Sequence, residues 1–246
     1  MLICLACNAW GKNRKMNKFL NKLKYFSVGE WVLLVLSELF IIISFVVFHG
    51  DDYFTFFSSM LGVISLLFIA KGNPFGQILM IIFASAYGIV AFSFGYYGET
   101  ITYLCFSAPM ALISLIAWLR NPYKGNKAQV KISDLTAGKV LGIFAFATVF
   151  TVVGYFILKL LGTANILPST LSLFTSAVAV GFSALRSPFF ALSYAVNDVV
   201  LIVLWSMAVI EDVSYLSVVI CFTAFLANDL YSFFNWLRIK RKQREN

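Results

Sequence analysis

The chain has 246 residues, 61% hydrophobic and 12% charged, with a formal net charge of +8 and a mean hydropathy of +0.87. Soluble domains run at about 45–50% apolar and about 25% charged, so the excess apolar surface belongs against lipid and an ordinary soluble domain is excluded. The basic residues sit in short runs flanking apolar segments, which marks membrane orientation rather than a nucleic-acid footprint.

Residues 1–30 read as a basic cytoplasmic arm. A first apolar segment runs from Trp31 to Phe48, with an outer loop to residue 52. The second runs Tyr53 to Ala70 and stops at Lys71-Gly72-Asn73-Pro74, and the third runs Phe75 to Phe94. The fourth runs Ile101 to Leu119 and ends in Arg120-Asn121-Pro122, followed by the longest loop, polar and lysine-rich, over residues 120–139. The fifth runs Val140 to Leu161 and the sixth Ser169 to Leu185, stopped by Arg186-Ser187-Pro188. The seventh reaches Ile210, and Glu211-Asp212 make an acidic turn. The eighth runs Tyr215 to Leu237, with a basic tail over residues 239–246. Each segment approaches the ~20 residues that a helix needs to cross ~30 Å of hydrocarbon. Strands are excluded there because lipid offers their backbone no partner. The expected fold is therefore an all-α integral membrane protein of eight transmembrane helices. With both termini in the cytoplasm, 18 of the 19 basic residues fall on the cytoplasmic side and only Lys159 outside, as the positive-inside bias requires.

Cys105 and Cys221 lie in apolar segments and read as small packing residues. Cys4 and Cys7 form a lone C-x-x-C, weak grounds for a metal. Met16 opens an ordinary basic lead-in and is an alternative start. No cofactor is expected.

An internal repeat organises the chain. Trp118-Leu119-Arg120 aligns with Trp236-Leu237-Arg238, and Asn73-Pro74 after Lys71 matches Ser187-Pro188 after Arg186. The resulting plan is one extra helix (31–52 with its loop), a three-helix repeat (53–120), a linker and linking helix (121–168) and a second repeat (169–238). A 3+1+3 plan keeps the two repeats parallel, and transporters built from such repeats hold substrate near mid-membrane between the halves.

The seventh segment carries the chemistry. Wound as a helix, Phe190, Tyr194, Asn197, Asp198, Leu201 and Trp205 share one face. A central carboxylate in lipid costs roughly 2.5–3.5 kcal/mol even on the lenient insertion scale, so such a face belongs to a cavity or a protein interior. Aromatic planes alternating with hydrogen-bonding groups suit a small polar solute with a flat ring. Asn197 and Asp198 are read as site residues, against an interhelical packing bond. Gln77, one turn into the third helix, leans the same way, whereas Asn73 stands even between site and helix cap. Phe75, Tyr87, Phe190, Tyr194 and Trp205 are candidates to contact a ring, and Asn228 is balanced between cavity and helix–helix bond. Trp118 and Trp236 read as interfacial belt anchors. Glu38 is a carboxylate inside the first helix, with no role assigned. The one histidine, His49, falls in an outer loop, and no His/Cys/Asp cluster has metal-ligand spacing, so an intramembrane enzyme is the weaker reading.

The chain resembles the nicotinamide riboside transporters, the PnuC family, which are relatives in architecture of the SWEET sugar transporters. The resemblance is carried by Gly72-Asn73-Pro74-Phe75-Gly76-Gln77, Tyr87-Gly88, Arg186 followed by Tyr194 to Asp198, and Asn228 through Asn235-Trp236-Leu237-Arg238. It departs from the family where tryptophans often precede the central Asn of the seventh helix; here Phe189, Phe190 and Tyr194 stand there. The resemblance implies uptake of nicotinamide riboside through the cell inner membrane by facilitated diffusion, with alternating access and trapping by a cytoplasmic nicotinamide riboside kinase. It implies substrate contacts from Asn73, Phe75, Gln77, Tyr87, Phe190, Tyr194, Asn197, Asp198, Trp205 and Asn228. Thiamine, riboflavin or a sugar is the alternative solute. A homo-oligomer and proton or sodium coupling are left open.

Overall fold

The structure is a computed structural model and describes residues 25–47, 53–93, 100–163, 165–210 and 213–245. The expectations for Cys4, Cys7, Met16, His49, Glu211, Asp212 and most of the basic arm lie outside these residues. Eight helices stand among the described residues: α1 (Val28–Val47), α2 (Tyr53–Ala70), α3 (Phe75–Ser93), α4 (Ile101–Leu119), α5 (Ala137–Leu160), α6 (Ile166–Ala184), α7 (Phe189–Val209) and α8 (Leu216–Glu245). Six of them, α1 and α4 to α8, are long and apolar enough to cross a membrane; α2 and α3 contain the shorter apolar stretches Phe56–Ala70 and Phe75–Ile89. The first turns of α4, Ile101–Ser107, are wound as a π-helix that passes into α-helix at Ala108, just before Pro109.

Two features differ from the sequence reading. The polar loop after α4 contains a short antiparallel hairpin, β1 (Pro122–Tyr123) with β2 (Asn126–Val130). Lys124 and Gly125 take positive φ at its tip, the conformation a tight turn demands. The basic tail continues α8 as one unbroken helix to Glu245.

The described residues divide into two compact units, one ending at Leu36 and one beginning at Ser37. In the first, Ser27 and Glu30 form a reciprocal cap at the start of α1: Ser27 N donates to Glu30 Oε2 (2.6 Å) and Glu30 N to Ser27 Oγ (3.3 Å). In the second, six helices pack in a closed ring: α2 on α3, α3 on α4, α4 on α6, α6 on α7, α7 on α8, and α8 back on α2. α5 packs on α6.

The ring is sealed at the hairpin end by two matching corners. At the end of α2, Gly72 adopts φ 67° and Gly72 N and Asn73 N donate to the carbonyls of Ile69 and Phe68. At the end of α6, Arg186 adopts φ 56° and Arg186 N and Ser187 N donate to Ser183 and Phe182. Both are left-handed helix stops, each followed by a proline that opens the next helix. The structural counterpart of Arg186 is thus Gly72, one residue beyond the Lys71 that the sequence suggested. The end of β2 and the segment after it tie the corners together: Val130 N donates to Gly72 O (2.9 Å) and Ser133 N to Arg186 O (3.1 Å).

Trp118 and Trp236 are not belt anchors. Both are fully buried and lie ring to ring at 5.1 Å. Trp118 Nε1 donates to Ser183 O (2.9 Å) and Trp236 Nε1 to Ile69 O (2.8 Å). The indole N–H of a buried tryptophan needs an acceptor, and these corner carbonyls, which also accept from Arg186 N and Gly72 N, supply it with their second lone pair. Each tryptophan closes the end of a helix in the other half of the ring.

Candidate functional site

The ring encloses a cavity of about 420 Å³, within the ~300–1,000 Å³ of small-molecule sites. Its floor, at the hairpin end, includes Ile69, Ser183 and Phe190. Phe190 is 1% exposed and stands edge-on over Trp236 with ring centres 4.8 Å apart. At the opposite end Thr163, Asn165 and Tyr215 line it, and Tyr215 packs on Trp205 at 5.4 Å.

α7 supplies one polar wall, because its sequence puts Phe190, Tyr194, Asn197, Asp198, Leu201 and Trp205 on the face that meets the cavity. Asn197 is the best-anchored group. Its Oδ1 accepts from Thr175 Oγ1 (2.7 Å), Ser176 Oγ (3.1 Å) and Ser172 Oγ (3.2 Å), all from α6. Three hydroxyls on one oxygen fix the amide in the wall.

Of the ten residues named from the sequence, Gln77, Phe190, Tyr194, Asn197, Asp198 and Trp205 line the cavity, and four do not. Asn73 caps its own turn, its Oδ1 accepting from Phe75 N (3.0 Å). That is the capping alternative, favoured because Pro74 and Phe75 open α3 beside it. Phe75 is 46% exposed and packs edge-on against Phe68, since its position in the first turn of α3 points away from the ring interior. Tyr87 stacks behind the wall on Tyr103 (4.5 Å) and Phe83 (5.9 Å), both of which do line the cavity. Asn228 is 1% exposed and turned toward α1: its Nδ2 donates to Ser37 Oγ (3.0 Å) and to Ala224 O (2.8 Å). Its neighbour Asp229 faces the cavity instead. Successive helical positions differ by about 100°, and here that step turns Asn228 to Ser37 while Asp229 meets the cavity.

Asp229 was therefore missed, as were Ser169, Ser172 and Ser176 of α6. The serines carried a readable signal: they recur at helical spacing on one face, in an otherwise apolar segment. No lysine, arginine or histidine is among the described residues that line the cavity, and no group of three or more His, Cys, Asp or Glu that could hold a metal occurs among the described residues.

The sequence profile of the family described as "Nicotinamide mononucleotide transporter" matches residues 52–238. The chain is 24% identical over 216 residues to the nicotinamide riboside transporter PnuC of Neisseria mucosa, covering 86% of this chain and 81% of that protein. It is 21% identical over 230 residues to the protein of the same name from Haemophilus influenzae, covering 93% and 97%. Its fold is similar to a crystal structure described as that of the vitamin B3 transporter PnuC, with a TM-score of 0.76, 24% identity, and coverage of 89% of this chain and 94% of that one. The profile match spans most of the chain and all the helices that form the ring, and the family is one of transporters, so the enzyme alternative falls away. This multi-pass membrane protein belongs to the nicotinamide mononucleotide transporter family.

Proposed function

We propose that the protein carries nicotinamide riboside, the unphosphorylated nucleoside, across the cell inner membrane through the cavity of the helix ring. The observation that carries this reading is the character of the wall: aromatic faces, hydroxyls, amides and two carboxyls, with no basic side chain among the described residues that line it. A phosphate taken out of water calls for cationic or clustered N–H donors, and this wall offers neither. The curated relatives, named as nicotinamide riboside transporters, support the same choice. In this reading Asn197, its oxygen already held by α6, presents its amide N–H to a ribose hydroxyl or the carboxamide. Gln77 does so from α3, and Phe190, Tyr194 and Trp205 contact the flat ring.

Transport runs by facilitated diffusion with alternating access, and cytoplasmic phosphorylation by a kinase keeps the gradient inward. The two trios α2–α4 and α6–α8 are parallel repeats of the SWEET kind, with α5 as linking helix, α1 extra, and both termini cytoplasmic. The matching corners at Gly72 and Arg186 and the reciprocal tryptophan bonds support that plan. Purified protein in liposomes is the test. Labelled nicotinamide riboside should equilibrate across the membrane and be competed poorly by the mononucleotide, thiamine, riboflavin or glucose. Entry of one of these in its place would assign the carrier to that solute.

A further inference from the structure

The cavity holds two groups that transport of a nucleoside leaves unexplained. Asp198 on α7 and Asp229 on α8 are 4% and 2% exposed, and both line the cavity. Their carboxyl groups lie close enough to interact directly. Each keeps one buried oxygen, Asp198 Oδ2 and Asp229 Oδ1, with no hydrogen-bond partner among the described residues. The hydroxyls of α6 do not satisfy them, since Thr175, Ser172 and Ser176 converge on Asn197 instead. No cationic side chain among the described residues lines the cavity to balance them.

With either carboxyl ionised, the pair carries net negative charge. A bare charge in a membrane interior is costly and persists where a partner meets it. The space that both carboxyls line is the cavity proposed to receive the solute. Nicotinamide riboside carries one fixed positive charge, on its pyridinium nitrogen. Its dihydro form has nearly the same shape and no ring charge.

We infer that the Asp198–Asp229 pair is the counter-ion for a solute bearing a single positive charge and sets the charge selectivity of the cavity, with Asp229 as a substrate-facing residue. This rests on the transport reading above and deepens it. The pair favours the cationic nucleoside over its uncharged isostere and repels anions, while Asn197 and the aromatic groups read shape.

The test uses the full chain in liposomes, offered labelled nicotinamide riboside or its 1,4-dihydro form at equal concentration. Wild-type protein should take up the cation at least about tenfold faster, the order expected of one close charge in a partly desolvated site. Asp198→Asn with Asp229→Asn, which keeps size and polarity, should bring the ratio toward one. A wild-type ratio near one, or a ratio unchanged in the double variant, overturns the inference while transport stands. Entry of neither nucleoside into wild-type vesicles sinks the transport reading and this inference with it. Should the double variant fail to reconstitute, calorimetry on the wild type decides: the N-methylnicotinamide cation should bind at least about tenfold tighter than neutral nicotinamide, and equal affinities refute the counter-ion.

Discussion

The two corners at the hairpin end, Lys71–Gln77 and Leu185–Ala191, share a backbone and spend it differently. With Pro74 set against Pro188, Gly76 stands opposite Phe190, Gln77 opposite Ala191, Met80 opposite Tyr194, Phe83 opposite Asn197 and Ala84 opposite Asp198. In the first half the missing side chain at Gly76 lets α3 lie directly on α2: a Cβ there would stand 2.7 Å from Ile69 N and 2.8 Å from Ser65 O. In the second half the same position carries a large ring that floors the cavity. One corner brings two helices into contact; the other holds them apart around the cavity. A shared frame thus leaves one half free to be scaffold while the other concentrates the polar chemistry.

Substitutions sharpen this contrast, and the largest effect belongs at the close contact. Gly76→Val forces α3 off α2 and should cost about 3 kcal/mol or prevent folding. Phe190→Leu, at the counterpart, should cost about 1–2 kcal/mol; thermal unfolding in detergent compares them, and equal losses would erase the distinction. Asn197→Ala strips three hydroxyl bonds from α6 and should reduce nucleoside uptake at least about tenfold, measured as initial rate per reconstituted protein. Phe83→Leu, at the matching place in the first half, should move uptake far less. Trp118→Phe and Trp236→Phe each delete one buried N–H bond at opposite seams and should each cost about 1 kcal/mol. Markedly unequal melting shifts would break the equivalence of the seams.

Arg186→Gly relieves a non-glycine residue at positive φ and should raise stability by about 1 kcal/mol. Gly72→Ala should lower it by at least as much, because its Cβ would also press on Val130 Cγ1 at 3.3 Å. The smallest effect concerns Asp134, whose carboxyl accepts from Lys240 (2.8 Å) and Arg244 (2.6 Å). Those bonds, Lys240's first, hold it below the usual carboxylate range. A group lowered on folding stabilises above its unfolded pKa and loses that contribution as pH falls through its folded one. The melting temperature of wild type should therefore dip slightly below about pH 4, and Asp134→Asn should abolish that dip without changing uptake at neutral pH.

The helices were legible because lipid demands continuous apolar runs, and prolines at 74 and 188 mark the corners plainly. The inward face of α7 was legible for the same reason: in such a run Asn197 and Asp198 have few places to go. What failed was the choice among equals. Asn228 and Asp229 are adjacent polar residues on one helix, and only the position of α1 decides which faces the cavity. Trp118 and Trp236 sit where interfacial tryptophans usually sit, and nothing local announces that each caps a helix of the opposite half. Asn73 followed its local rule, the cap, over the proposed symmetry with the site. The hairpin at 122–130 was hidden because its strands are short and polar, held by Gly72, Asn121 and Gln243 rather than by an apolar pattern.

α8 runs unbroken from Leu216 to Glu245. Asp229 on it touches the cavity, and Gln243 grips the end of β2 and the segment after it, donating to Val130 O (2.9 Å) and accepting from Ile132 N (2.9 Å). Fourteen residues of helix make a stiff arm of roughly 20 Å, so a tilt of about 10° at the acid would swing the glutamine by about 3–4 Å, enough to tear both of its bonds. A rigid binder that clamps the far end of that arm should therefore slow uptake without reaching the cavity, measured as initial rate in liposomes.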